Sequence, residues 1–312
     1  MMLRSNNFPP GISVVLPNYN GKHLMEKNIP SILKALDQVD MPWEIIVVDD
    51  SSTDDSIVFL QSCYPQISVV ASSVNRGFST TCNNGIARAK YKYTCISNTD
   101  VTFAENYFEV CISALEKGEL FAVKGSIVNY IDDPGKVLNI ERSTLMFFKR
   151  GFFKFKTREE IPGKGYKYEL SKLGCCFVCR TSDLWILDGF DEIFTPYYWE
   201  DCDLAVRAIK SGMIVKYLPE AIVWHQLSST IGAHRSRTNR KIVSNRNKFI
   251  FTWRHMDTAM EWRVHLLFLA GSLLTRWVAM DWQYYVGLFY AVGRLLGKRR
   301  EKTLAFYVTA DQ

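Results

Sequence analysis

The sequence predicts an α/β fold in which a mostly parallel sheet is covered by helices. Short apolar runs rich in β-branched residues, at 12–16, 44–48, 67–71 and 93–97, alternate with helically periodic stretches at 24–36, 54–63 and 79–89. That alternation builds βαβ crossovers and hence parallel pairing. The polar clusters of this half also fall where the apolar runs end. In open parallel sheets ligands bind outside the carboxyl ends of the strands, so these clusters are expected to share one crevice.

In chain order, 12–16 is closed by Pro17-Asn18-Tyr19-Asn20, a strand running into a loop. The 24–36 stretch contains Pro30, which predicts a kink or break. The run at 44–48 ends in Asp49-Asp50, followed by Ser51, Ser52 and Thr53 as possible N-caps for 54–63. Asn75-Arg76 follows the third run and Asn98-Thr99-Asp100 the fourth. From 125 to 170 the periodicity weakens and basic residues alternate with aromatics, as in 146–154, which predicts a long loop or hairpin. Strand-like order returns at 173–178, helical order at 203–210 up to a Ser211-Gly212 stop, and a further strand-like run at 221–224 delivers His225.

With 312 residues, 47% apolar and 22% charged, the chain can bury a sizeable core. Its net charge of +6 is too diffuse to argue for nucleic acid, since no basic run sits beside base-stacking aromatics. The eight cysteines have no framework spacing, which predicts free, largely buried thiols in a reducing compartment. Residues 1–10 contain no apolar core of a signal peptide, so a cytoplasmic protein is expected.

The chemistry is carried by carboxylates, because neither G-x-G-x-x-G nor G-x-x-x-x-G-K-[ST] occurs. Asp49 and Asp50 suit a nucleoside's hydroxyls or base N–H groups, or else cap the next helix. Asp100 stands where a diphosphate would lie and is a candidate ligand for Mg²⁺ or Mn²⁺; His225, at another strand end, is a second. Glu200-Asp201-Cys202-Asp203 follows the aromatic stretch 194–199, ending in Trp199, that can wall a pocket and raise a carboxyl pKa. Asp201 is the first choice as general base and Glu200 the second, while Asp203 suits the helix dipole. Cys175, Cys176 and Cys179 lack a second metal-binding pair and read as core. Gly174 allows close approach of an acceptor.

These strings together resemble the family-2 inverting glycosyltransferases of GT-A fold, of the bacterial polysaccharide and rhamnosyltransferase kind. The resemblance rests on Val14-Val15-Leu16-Pro17-Asn18-Tyr19-Asn20, on 46–54, on Asn75-Arg76-Gly77-Phe78 with Asn83-Asn84-Gly85, on Asn98-Thr99-Asp100, and on 189–192 running to 200–204. It implies a base pocket at Pro17, Asn18 and Asn20, a nucleoside held by Asp49 and Asp50, and a diphosphate met by Arg76 and Asn83. It further implies a donor sugar beside Asn98 and Thr99, a divalent metal on Asp100 and His225, and Asp201 as base. Asn98 departs from the family's frequent D-x-D, which implies a metal completed by water. The implied donor is a UDP- or dTDP-sugar and the implied acceptor a glycan or lipid-linked glycan. A sugar-nucleotide pyrophosphorylase would carry a Gly-rich loop where Pro17-Asn18-Tyr19-Asn20 stands; a non-catalytic scaffold subunit is the remaining alternative.

The expected organisation is a nucleotide-sugar half (1–125), an acceptor and catalytic half (126–233) and a basic, amphipathic helical tail (234–312). In the tail, Arg235, Arg237, Arg240, Lys241, Arg246 and Lys248 precede two apolar stretches at 264–275 and 282–293. Each is shorter than the roughly 20 apolar residues of a spanning helix. Trp253, Trp262, Trp277, Trp282 and the basic Arg294 and 298–300 suit helices lying at a membrane interface, or packed on the domain or a second copy.

Overall fold

A computed structural model describes residues 8–158, 167–169, 172–227 and 236–297. Arg235 and residues 298–300, named above, lie outside the described residues.

The expected alternation is present: β1 (Ile12–Asn18), α1 (Lys22–Leu36), β2 (Trp43–Asp49), α2 (Ser56–Cys63), β3 (Ser68–Ala71), α3 (Phe78–Arg88) and β4 (Tyr93–Ser97). It continues through β5 (Val101–Phe103), α4 (Tyr107–Lys117), β6 (Leu120–Tyr130), β7 (Asn139–Glu141), β8 (Thr144–Lys149), β9 (Phe152–Thr157) and β10 (Tyr168–Glu169). Then follow β11 (Cys176–Arg180), α5 (Thr181–Ile186), α6 (Glu200–Lys210), β12 (Ile214–Gln226), α7 (Arg237–His255), α8 (Ala259–Val278) and α9 (Trp282–Gly297). Pro30 does not break α1. It lies on the exposed side, as does Glu26, whose carbonyl it leaves without an intrahelical donor.

The main sheet has the order β3-β2-β1-β4-β11-β6-β12-β5, with β7 on β6. β1, β2, β3, β4, β6 and β12 run one way; β5, β7 and β11 run against them. The carboxyl ends of the first set therefore emerge at one edge. The antiparallel β11 and β5 begin at that same edge, bringing Gly174 and Asp100 to it. One helical layer, including Met25, Ile29, Phe108 and Ile112, packs on one face of the sheet. Cys82, Ile86, Leu204 and Ala208 of α3 and α6 pack on the other.

The weakly periodic region resolves into two things. β8 and β9 form the expected hairpin, joined by β10 in a small sheet of its own. β6, by contrast, was not legible: the expected loop starts inside it, yet all eleven of its residues are buried. A strand covered on both faces loses its alternation. Here Lys124, Gly125 and Ser126 also interrupt the apolar run. Gly125 is required because a Cβ there would stand 1.9 Å from the Ala221 carbonyl oxygen, where the β6 and β12 registers shift. The eight cysteines are free; six are buried, Cys175 is half-buried and Cys63 is exposed.

The tail is built onto this domain by polar anchors. Asp203, fully buried on α6, meets Arg207 Nε at 2.6 Å and His255 Nε2 of α7 at 2.9 Å. It is thus an ion-pair centre between helices and not only a dipole-matching acid. α9 packs closely on α7, where Gly287 admits Asn245: a Cβ at 287 would lie 2.7 Å from the Asn245 Cβ. α8 starts with a capping box between Thr258 and Glu261, and its one buried residue is His265. No helix among the described residues is long and apolar enough to cross a membrane.

Breaking a buried ion pair by removing one charge costs roughly 3–5 kcal/mol. Asp203→Asn is expected to lower stability by about 3 kcal/mol and to loosen α7 first. Urea unfolding, with hydrogen exchange of the α7 amides, checks both parts.

Candidate active site

At the common strand edge opens a cavity of about 430 Å³. Pro17, Asn18, Asp50, Asn98, Thr99, Asp100, Gly174, Glu200, Asp201 and His225 all line it, so residues read separately from the sequence converge.

At one end lie the loops after β1 and β2. Asn18 Nδ2 donates to Asp49 Oδ1 (2.7 Å) and to Ser52 Oγ (3.2 Å), while Asp49 accepts from the Ser52 hydroxyl (2.6 Å) and amide (2.9 Å). Asn20 Oδ1 accepts from the Thr53 amide at 2.7 Å. Asp49 and Asn20 therefore hold the 51–54 loop and stand behind the cavity wall. Asp50 does face the cavity, and its two oxygens accept from the Arg76 and Gly77 amides, each at 2.8 Å. Each oxygen retains a lone pair for a ligand hydroxyl. The Arg76 side chain is exposed and does not line the cavity; its contribution is this backbone N–H.

The middle of the cavity is set by β4, β5 and β12. Asp100 Oδ1 lies 3.4 Å from His225 Nε2, and His225 Nδ1 pairs with Asn129 Oδ1 at 2.8 Å. Burial acts to lower the His225 pKa, but Cys175 and Asp100 beside the ring raise it above the ordinary range. Asn98 Oδ1 is buried without a hydrogen-bond partner among the described residues. A carboxylate, an imidazole and an orphaned amide oxygen are a donor set that suits Mn²⁺ if phosphate or water oxygens complete it. The described residues hold no cluster of three His, Cys, Asp or Glu side chains that would bind a metal alone.

The candidate base lines the same cavity. Asp201 Oδ2 accepts from the Gly174 amide at 2.9 Å, so the residue read as a point of close approach also orients the carboxylate. Just before α6, Tyr198 and Trp199 both adopt left-handed backbone, φ 77° and 78°. Asn247 of α7 holds them there, its Nδ2 lying 2.6, 2.9 and 2.9 Å from the carbonyls of Phe194, Tyr197 and Tyr198. The pocket effect expected from the aromatic stretch falls on Glu200, whose pKa is pushed up to about 8 by burial and then by Asp201.

Two further expected site residues also lie off the cavity. Asn83 is fully buried and grips the backbone of Phe190, donating to its carbonyl (2.9 Å) and accepting from its amide (2.8 Å). The Trp199 ring packs on Phe251 and Phe155, with centroids 5.0 and 5.8 Å away, and belongs to the core shared with the tail. The sequence reading missed a charged cluster beside Asp201. Glu141 Oε2 lies 3.2 Å from Lys172 Nζ and 3.8 Å from Lys124 Nζ. Although burial works against its charge, Lys172 and Lys124 pull the Glu141 pKa down to about 2. Glu141 is an isolated charge inside the weakly periodic region and Lys124 and Lys172 stand just outside its two ends, with no spacing to connect the three.

Residues 13–183 match the family model described as "Glycosyl transferase family 2", and residues 100–308 match "Glycosyl transferase family group 2". The chain belongs to glycosyl transferase family 2. This glycosyltransferase is 24% identical over 293 residues to the N-acetylglucosaminyl-diphospho-decaprenol L-rhamnosyltransferase of Mycobacterium tuberculosis, covering 85% of this chain and 91% of that protein. Among solved structures it is similar to residues 1–349 of Staphylococcus aureus TarS in complex with UDP-GlcNAc, with TM-score 0.59 and 14% identity, over 91% and 81% of the two chains. It is also similar to the Pyrobaculum calidifontis mannosyltransferase PcManGT in complex with GDP-Man and Mn²⁺, with TM-score 0.54 and 16% identity, over 98% and 81%. The GT-A fold of the glycosyltransferase is thereby shown.

Because the folded Glu200 keeps its proton to about pH 8 while the unfolded side chain releases it near the ordinary 4.5, its contribution to stability is present below 4.5 and lost as pH rises toward 8. Glu200→Gln removes this loss. It is expected to be more stable than the parent by about 2 kcal/mol at pH 8, with the difference vanishing near pH 4. Thermal unfolding across that range measures it.

Proposed function

We propose that this glycosyltransferase moves a sugar from a nucleoside diphosphate, a UDP- or dTDP-sugar, onto a hydroxyl of a lipid-linked saccharide. The reading includes inversion at the anomeric carbon, work at the cytoplasmic face of a membrane, and a place in the assembly of a cell-envelope polysaccharide. The observation that carries it is that Asp50, the Asp100–His225 pair and the Gly174-anchored Asp201 line one cavity. The acceptor class is supported by the Mycobacterium relative, which is named for a diphospho-decaprenol-linked sugar.

In this reading Asp50 accepts hydrogen bonds from the nucleoside, with Pro17 and Asn18 beside the base. Asp100 and His225, with Asn98, would hold Mn²⁺ or Mg²⁺, which when bound supplies a Lewis acid for the departing diphosphate. Asp201 takes the proton of the acceptor hydroxyl. The acceptor oxygen bonds to the anomeric carbon from the side opposite the diphosphate, and the bond to the phosphate oxygen breaks with its electron pair, so the configuration inverts. The Gly174 N–H fixes Asp201 for this transfer before substrate arrives, and such positioning is a large part of catalysis.

The tail fits the membrane part of the reading. Leu267, Leu274, Trp277, Val278, Phe289 and Leu296, on helices not long and apolar enough to span a bilayer, and Met280 in the turn between them are each more than 70% exposed. Helices of this kind, bearing Trp262, Trp277 and Trp282 with Arg263 and Arg276, suit an interface of lipid headgroups.

General-base removal typically costs 10²- to 10⁴-fold in rate. Asp201→Asn is therefore expected to reduce transfer at least ~100-fold while leaving nucleotide binding intact; transfer at the parental rate would remove Asp201 as the base. A thermal-shift panel of uridine, thymidine, guanosine and cytidine diphosphates, with and without Mn²⁺, identifies the donor. Uridine or thymidine diphosphate is expected to stabilise the protein with Mn²⁺ present and to lose that effect in Asp100→Ala.

A further inference from the structure

The charged groups of the cavity fall into two sets. Carboxylates and amides line it at Asp50, Asn98 and Asp100, and cations line it at Lys172 and Arg240, with Lys124 behind Gly174. A Cβ at Gly174 would lie 3.7 Å from the Lys124 Nζ, so the ammonium sits at the cavity wall. The anions beside the two lysines are Glu141 and Asp201. One Glu141 oxygen serves both lysines, Lys124 Nζ is fully buried without a hydrogen bond, and Arg240 Nε is buried without a partner among the described residues. Buried cations with unmet hydrogen-bonding capacity are costly, and an anionic ligand relieves that cost. Asp201 is a charged neighbour of both Lys172 and Lys124, so an anion bound here is beside the candidate base. Arg240 is in the first turn of α7, the helix on which α9 packs, and α9 exposes Phe289, Tyr290 and Val292.

We propose that Lys172 and Arg240, backed by Lys124, form a second phosphate subsite that holds the diphosphate of the acceptor, its lipid chain leading along α7 toward the apolar face of α9. This deepens, and rests on, the glycosyltransferase reading: it makes the acceptor a sugar diphosphate lipid and not a neutral glycan or glycolipid. Phosphate pairs well with both cations, Arg240 through its planar fork and Lys172 as a point charge.

The test is calorimetric titration of the full chain, saturated with the nucleoside diphosphate that stabilises it and Mn²⁺, with N-acetylglucosaminyl diphosphate bearing a geranyl chain. The same titration with octyl N-acetylglucosaminide provides the uncharged comparison. The diphosphate probe is expected to bind alongside the nucleotide, at least tenfold more tightly than the glycoside. Lys172→Met and Arg240→Gln are each expected to weaken the probe at least tenfold, with nucleotide affinity and nucleotide-dependent thermal stabilisation retained as proof of folding. Competition between probe and nucleotide, or a parallel loss of nucleotide affinity in the variants, would assign the cations to the donor's diphosphate and overturn the proposal. So would equal binding of the uncharged glycoside. A probe that binds beside the nucleotide but is never glycosylated would leave this subsite standing and sink the transfer reading instead.

Discussion

The site depends on a backbone constraint at Tyr198 and Trp199. Two bulky residues in succession hold left-handed φ values, a conformation that costs of order 1–3 kcal/mol per residue unless the surroundings over-determine it. Asn247 supplies that determination from α7, and Arg246 adds a hydrogen bond to the Thr195 carbonyl. The turn so held aims α6 with its first two residues, Glu200 and Asp201, into the cavity. The tail is consequently part of what builds the candidate site as well as a surface feature: without α7 the turn would relax and the candidate base would lose its place beside Gly174.

The two neighbouring acids illustrate how environment divides labour between like groups. Glu200 is buried with one oxygen lacking a hydrogen-bond partner among the described residues and keeps its proton, whereas Asp201 reaches a backbone N–H at the cavity wall. Asp203, two residues on, is buried more deeply than either, yet Arg207 and His255 hold its pKa well below the usual range despite burial. Three carboxyl groups within four residues thus serve as a neutral wall, a candidate proton acceptor and a structural ion.

Much of this was legible in the sequence because it is local. Asp50, Asp100 and His225 each end a short apolar run, and a parallel sheet brings such ends together by symmetry of direction alone. What was not legible depends on pairing at long range. β6 hid because both of its faces are covered, so its polar residues looked like loop. Lys124, Glu141 and Lys172 became one cluster only when β7 folded back on β6. Asn83 and Trp199 sit in strings that suggest a ligand, but their side chains turn inward, Asn83 to the Phe190 backbone and Trp199 to Phe251; side-chain direction at the end of an element is set by packing that no spacing encodes.

The strand order also bears on how the chain is made. β11, near residue 180, lies between β4, which ends at 97, and β6, which ends at 130. At synthesis rates of about 5–20 residues per second, the β4 edge waits on the order of ten seconds for its partner to leave the ribosome. During that interval an apolar parallel half-sheet, complete in itself, presents an unpaired edge of the kind that recruits other strands. The nascent glycosyltransferase therefore has a defined window of vulnerability to aggregation, closed by the insertion of one five-residue strand.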